Sequence, residues 1–111
     1  MWCFTPEYFE THQEEAQETE EALTSITQPV EAYLSQLHSI EVHNATDRLG
    51  HIQAPTLVLG APKDLIFPPN QSEQIHRGVR NSQLQFTDHG GHGYLWEAPN
   101  EFNRAVLAFL R

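Results

Sequence analysis

Asp64 and His92 each lie just past a segment that reads as a β-strand, and both stand in segments that read as loops. In parallel α/β sheets, binding and reacting groups collect just past the carboxyl ends of the strands, which is where these two residues fall. A carboxylate that accepts a hydrogen bond from one imidazole nitrogen fixes the tautomer of the ring. The other nitrogen is then free to take a proton from a nucleophile. Asp64 and His92 are therefore the candidate acid and base.

Other chemistry-bearing groups are weaker candidates. His89 and His92 in the run His-Gly-Gly-His resemble a ligand pair, but the loop glycines and seven scattered histidines favour a plain loop, and no metal is assigned. Gly90, Gly91 and Gly93 are not followed by the Lys and Ser/Thr of a phosphate cradle and read as a flexible loop. Ser25, Ser35, Ser39, Ser72 and Ser82 lie in expected helices or turns without a glycine elbow, and Cys3 lies in a terminal segment, so none is assigned as nucleophile. Glu97 reads as an anchor for the loop or the last helix. The bland alternative for His92 is a loop histidine packed on Tyr94 or Trp96, and for Asp64 a turn-former bonded to its own backbone.

The elements that would position this pair are legible from periodicity. After Pro55, Thr56-Leu57-Val58-Leu59 is a continuous β-branched and aliphatic run, expected to form a central strand buried on both faces. Asn70 to Arg80 reads as a short helix with Ile75 and Val79 inward, and Gln83 to Thr87 alternates like a second strand. Asp88 to Gly93 is a loop, and Pro99 opens a helix with Phe102, Ala105, Val106, Phe109 and Leu110 on one face. Strand, helix, strand, helix implies a right-handed parallel unit over residues 46–111.

Residues 1–45 differ in character, although the whole is expected to be one folding unit at 111 residues. Thr5-Pro6-Glu7 and Thr27-Gln28-Pro29 are helix starts. Phe4, Tyr8, Phe9, Ala16, Leu23 and Ile26 recur at mostly helical intervals, and Val30, Tyr33, Leu34, Leu37 and Ile40 form an apolar stripe expected to cover something. The aromatics Phe4, Tyr8, Phe9 and Tyr33 are assigned to packing, and Asn44 to Gly50 reads as a capped single turn.

Charge separates the same two parts. Met1 to Asp47 hold ten acids and no Lys or Arg, whereas Arg48 to Arg111 hold five acids and six bases, for a formal net charge of -9. That balance argues against nucleic acid or an anionic membrane as partner. One cysteine cannot form an intramolecular disulfide. The start at Met1 lacks a basic, then apolar, leader, and no stretch is long enough to span a bilayer, so a cytoplasmic protein is expected.

Ala54-Pro55-Thr56-Leu57-Val58-Leu59-Gly60, then Asp64 and Pro68, then Gly91-His92 with Glu97, Pro99 and the helix from Phe102 to Leu110, resemble the C-terminal part of an α/β-hydrolase. The upstream helices up to His43-Asn44-Ala45-Thr46-Asp47-Arg48-Leu49 are similar to the end of the lid of small ester and enol-lactone hydrolases. The resemblance implies a partial α/β-hydrolase fold, two parallel strands with flanking helices preceded by lid-like helices. It also implies that Asp64 and His92 occupy the family's acid and base positions, in the order Ser, Asp, His, with no cofactor. Two departures stand out. Ala61 takes the place of the glycine common three residues before the acid, and the sequence holds no Gly-x-Ser-x-Gly elbow and no further loop of the oxyanion-donating kind.

In that family the sheet continues past the strand Thr56 to Leu59, so a bare edge is expected there. The expectation is completion by a homodimer or a complementary subunit along this edge. Three function classes follow. One is an ester or lactone hydrolase half, inactive alone, with a small ester-like ligand. Another is a stand-alone dimeric module that binds a small molecule or protein on a remnant hydrolase scaffold. The third is an interaction protein whose acidic helices from Glu7 to Glu31 dock on a basic partner.

Overall fold

A computed structural model describes residues 3–111; the reading of Met1 and Trp2 as a leaderless start lies outside them. Thr5 caps the first helix as its sequence requires. Its Oγ1 accepts from the Tyr8 amide at 3.3 Å, Pro6 occupies a position needing no amide donor, and Glu7 faces the positive helix end. Helix α1 (Pro6–Thr11) then stops, because His12 leaves helical geometry at φ -133°, ψ 50°. The single helical spacing from Phe4 to Ile26 is thus divided between α1 and α2 (Gln13–Thr24).

Helix α3 (Val30–Val42) forms where its periodicity predicts, but its apolar stripe covers nothing. Val30, Tyr33, Leu34, Leu37 and Ile40 are all exposed, Tyr33 at 54%, which corrects its assignment to the core. The physical reason is tertiary: α3 makes no extensive contact with any other described element. A 3-10 turn (Thr46–His51) follows, entered through Asn44, whose Oδ1 accepts from the Thr46 amide at 3.0 Å.

The remaining chain builds β1 (Thr56–Gly60), α4 (Pro69–Gly78), β2 (Ser82–Phe86), α5 (Tyr94–Glu97) and α6 (Pro99–Phe109). The strands are parallel and paired from Thr56 opposite Ser82 to Gly60 opposite Phe86. The ladder is prolonged at each end, by the Thr56 amide to Asn81 O at 2.9 Å and the Thr87 amide to Gly60 O at 3.0 Å. Helix α4 packs on both strands and on the 3-10 turn.

Two expectations about burial are corrected. Val58 and Gly60 are buried, but Leu57 and Leu59 are only half-buried, because β1 has a strand on one side alone among the described residues. Ile75 points away from the strands at 43% exposure. The inward line of α4 instead runs through Ser72 and His76 to Val79, at i, i+4 and i+7, and Val79 is fully buried just past the helix end. Val58, Ala61, Val79, Ala98 and Ala105 form a small core, and helix α5, a single turn, has no counterpart in the sequence expectations. No helix among the described residues is long and apolar enough to cross a membrane.

Candidate active site

The loop leaving β1 folds around Asp64. Ala61 is buried, its carbonyl accepts from the Asp64 amide at 3.4 Å, and the Lys63 amide reaches Gly90 O at 3.2 Å, joining this loop to the one that carries His92. Oδ1 of Asp64 accepts from the amides of Ile66 and Phe67, both at 2.8 Å. The turn-forming role weighed for Asp64 is therefore present, and it leaves Oδ2 available. Oδ2 lies 3.0 Å from Nδ1 of His92.

Asp64 is 7% exposed, and with Oδ2 as the acceptor Nδ1 of His92 donates the bond. In that tautomer Nε2 is the nitrogen without a proton, on a side chain that is 35% exposed. Among the described residues, Asp64 is the sole hydrogen-bond partner of the His92 ring. The aromatic ring against His92 belongs to Phe67, at 5.4 Å between centroids, rather than to Tyr94 or Trp96 as the bland reading expected. Phe67 reaches it because the Asp64 turn folds residues 65–67 back over the site.

The glycines around His92 lie in a loop, as expected, and two of them, Gly90 and Gly93, stand where a side chain would be strained or crowded. Gly90 has φ +105°, in the left-handed region that favours glycine. A side chain at Gly93 would meet the Phe4 ring at 2.8 Å and Cys3 O at 3.0 Å. The Gly93 amide donates to that same Cys3 carbonyl. The Gly91 amide donates to Oε1 of Glu97 at 2.8 Å, and Oε2 of Glu97 accepts from the Thr5 amide at 3.1 Å and from the Thr5 hydroxyl.

Further ties fix both loops. Tyr94 donates its hydroxyl to Leu59 O at 3.2 Å, and burial, followed by the nearby Asp64 carboxylate, pushes its phenol above the ordinary value. Glu101 accepts from the His89 ring at 3.0 Å and the Asp88 amide at 2.7 Å, which hold its carboxyl below the usual range. Lys63 pairs with Glu7 of α1 and lowers that carboxyl through their hydrogen bond.

His89 thus bonds Glu101, and no group of three or more His, Cys, Asp or Glu able to hold a metal ion is found among the described residues. Ser82 lies in β2, not in a helix or turn, with its Oγ 2.8 Å from Nδ1 of His76. It sits at the amino end of the strands, away from Asp64. Its hydroxyl also lies within hydrogen-bond distance of Val79 O at 2.7 Å and His76 O at 3.1 Å. Glu97 anchors the loop as its sequence position suggested, whereas the roles of Thr5 and Tyr94 around His92 were missed, Thr5 because its helix-capping signal explained it completely.

Two parallel strands, an acid beyond the first, a histidine beyond the second and a closing helix are the C-terminal part of the α/β-hydrolase fold. Comparison with known proteins agrees. The chain is 36% identical over 78 residues to RutD of Rhizobium rhizogenes, provisionally named a carbamate hydrolase, covering 70% of this chain and 30% of that protein. It is 33% identical over 106 residues to 2-hydroxy-6-oxononadienedioate/2-hydroxy-6-oxononatrienedioate hydrolase 1 of Pseudomonas putida, covering 96% of this chain and 35% of that one. A thermophilic esterase from Thermogutta terrifontis superposes with a TM-score of 0.82 at 27% identity, covering 98% of this chain and 40% of the esterase. The chain therefore spans about a third of the length of the curated relatives it matches. No family model matches the sequence.

Proposed function

We propose that this chain supplies the acid–base half of an acyl-transfer site for a carboxylic ester or lactone, with the nucleophile borne on another stretch of polypeptide. The observation that carries this reading is the 3.0 Å bond between Nδ1 of His92 and Asp64, which leaves Nε2 open. In that role Nε2 takes the proton of a serine-type hydroxyl as it attacks the carbonyl carbon, and returns it to the departing alkoxide. Asp64 stabilises the imidazolium between the two steps. Water, deprotonated by the same nitrogen, then releases the acyl group. The sequence has no glycine-flanked serine elbow, so the chain alone gives no turnover.

In this reading a complementary subunit bearing the nucleophile docks along the bare edge of β1, and without it a second copy of this chain covers the same edge. A second reading, a dimeric module that binds a small apolar ligand, draws on the uncovered stripe of α3. One experiment addresses all of this. The purified chain, with its oligomeric state fixed by light scattering, is offered p-nitrophenyl acetate beside its His92→Ala variant. The expected result is an oligomer at micromolar concentration with no turnover above the variant. Turnover abolished by His92→Ala would overturn inactivity alone, a sharp monomer would overturn self-association, and an apolar ligand bound without turnover would favour the second reading.

A further inference from the structure

We infer that Glu97 is a positioning residue whose carboxylate links the start of α1 to the backbone beside His92, so that docking of the upstream helices sets how the ring sits on Asp64. The inference rests on reading His92 as the base, and its test requires no turnover.

Both amides flanking His92 are tied to residues 3–5, one directly and one through Glu97. The Gly93 amide bonds Cys3 O directly. The Gly91 amide bonds Oε1 of Glu97, whose Oε2 takes the amide and hydroxyl of Thr5. Thr5, Gly91 and Gly93 are all buried, so water does not readily replace these bonds if they are lost. A carboxylate is suited to this place because it alone can accept at both ends; an amide side chain would turn a donor toward one of them. Hydrogen bonds weaken steeply with distance and angle, so a shift of the backbone at residues 91–93 is felt in the bond from His92 to Asp64.

Glu101 offers an internal comparison. It makes a similar two-oxygen clamp on the same loop, to the Asp88 amide and the His89 ring, without reaching residues 3–5. If the loop needed only a carboxylate clamp, the two residues would be equivalent. If position is transmitted from α1, only Glu97 matters to His92.

The experiment follows the Nδ1 proton of His92 by NMR on the full chain labelled with 15N at histidine. In Glu97→Gln this proton should exchange with water about tenfold faster, the factor that corresponds to ~1.4 kcal/mol. Thr5→Ala should act in the same direction although it touches neither His92 nor Asp64, and Thr5→Ser should restore the slow exchange. Glu101→Gln should leave the His92 signal unchanged. The proposal is overturned if Thr5→Ala leaves His92 at the wild-type rate, or if Glu101→Gln accelerates it equally. Should Glu97→Gln fail to fold, the Thr5→Ala and Thr5→Ser pair decides. Absence of ester turnover bears on the hydrolase reading and does not alter this exchange rate.

Discussion

Substituting Gly93 with alanine should release residues 3–5 from the His92 loop at a cost of about 1–3 kcal/mol, the range for overpacking a filled site. Gly93 has φ -82° and ψ 24°, a conformation open to ordinary residues, so the cost is one of contact and not of backbone strain. The new Cβ would lie 2.8 and 2.9 Å from two carbons of the Phe4 ring and 3.0 Å from Cys3 O. Any shift of Phe4 disturbs three ring contacts: Tyr8 stacks on it at 5.0 Å, and Phe9 and Trp96 meet it edge-on at 5.8 and 6.3 Å. The Cys3 carbonyl is held by the Gly93 amide itself, so the whole segment must retreat. Urea unfolding at one fixed protein concentration is the assay, since self-association would make the midpoint depend on concentration. With a slope of roughly 1–2 kcal/mol per M, the midpoint should fall by about 1 M. Gly50→Ala is the control, because nothing lies within 4 Å of its added Cβ. A Gly93→Ala stability within about 0.5 kcal/mol of wild type, the spread of neutral surface changes, would refute the docking of residues 3–5 on this loop.

Three further outcomes are expected. Asp64→Asn keeps an oxygen for the amides of Ile66 and Phe67 but presents an NH2 donor to His92 where Oδ2 stood, so Nδ1 must accept and the ring should switch to the Nε2–H tautomer. Stability should fall by roughly 1.5–3 kcal/mol, and a ring that stays protonated at Nδ1 by 15N NMR would contradict the assignment. The Tyr94 phenol lies above its ordinary 10.0, so its contribution is fully present below the unfolded value and is lost as pH rises through the folded one. Tyr94→Phe, which loses the bond to Leu59 O, should therefore be less stable than wild type at pH 8, with a gap that narrows by pH 11; a constant gap in urea melts would tell against burial of this hydroxyl. The Glu7 carboxyl lies below its ordinary 4.5, so its contribution is present above the unfolded value and is lost as pH falls through the folded one. Glu7→Gln should be slightly destabilising at pH 7 in low salt and neutral both in 1 M NaCl and well below pH 4.5, checked by thermal melts.

Local elements were legible because short-range physics determines them. Thr5-Pro6-Glu7 caps a helix whatever lies beyond it, the aliphatic run from Thr56 to Leu59 favours a strand, and Pro99 opens a helix. The pairing of Asp64 with His92 was legible for a related reason: a parallel topology puts the loops after adjacent strands side by side, so order along the chain implies proximity. Burial was less legible. The stripe of α3 and Ile75 carry inward-facing patterns, yet a pattern states what a face prefers to touch and not whether anything is there. The break at His12 escaped because the apolar spacing runs nearly unchanged across it.

Apart from the break between α1 and α2 and the single turn of α5, the sequence by itself thus determined the helices, the two strands, their parallel order and the acid and histidine at their ends, since each depends on neighbours a few residues apart or on chain order. Only the tertiary structure decided which aromatic ring lies on His92, why Gly90 and Gly93 favour glycine, and that Thr5 meets Glu97 across the fold. The contacts of Thr5 with Glu97 and of Gly93 with Cys3 and Phe4 join residues some ninety positions apart. Their signals are a single hydroxyl, a single carboxylate and missing Cβ atoms, and local chemistry already accounted for each of them.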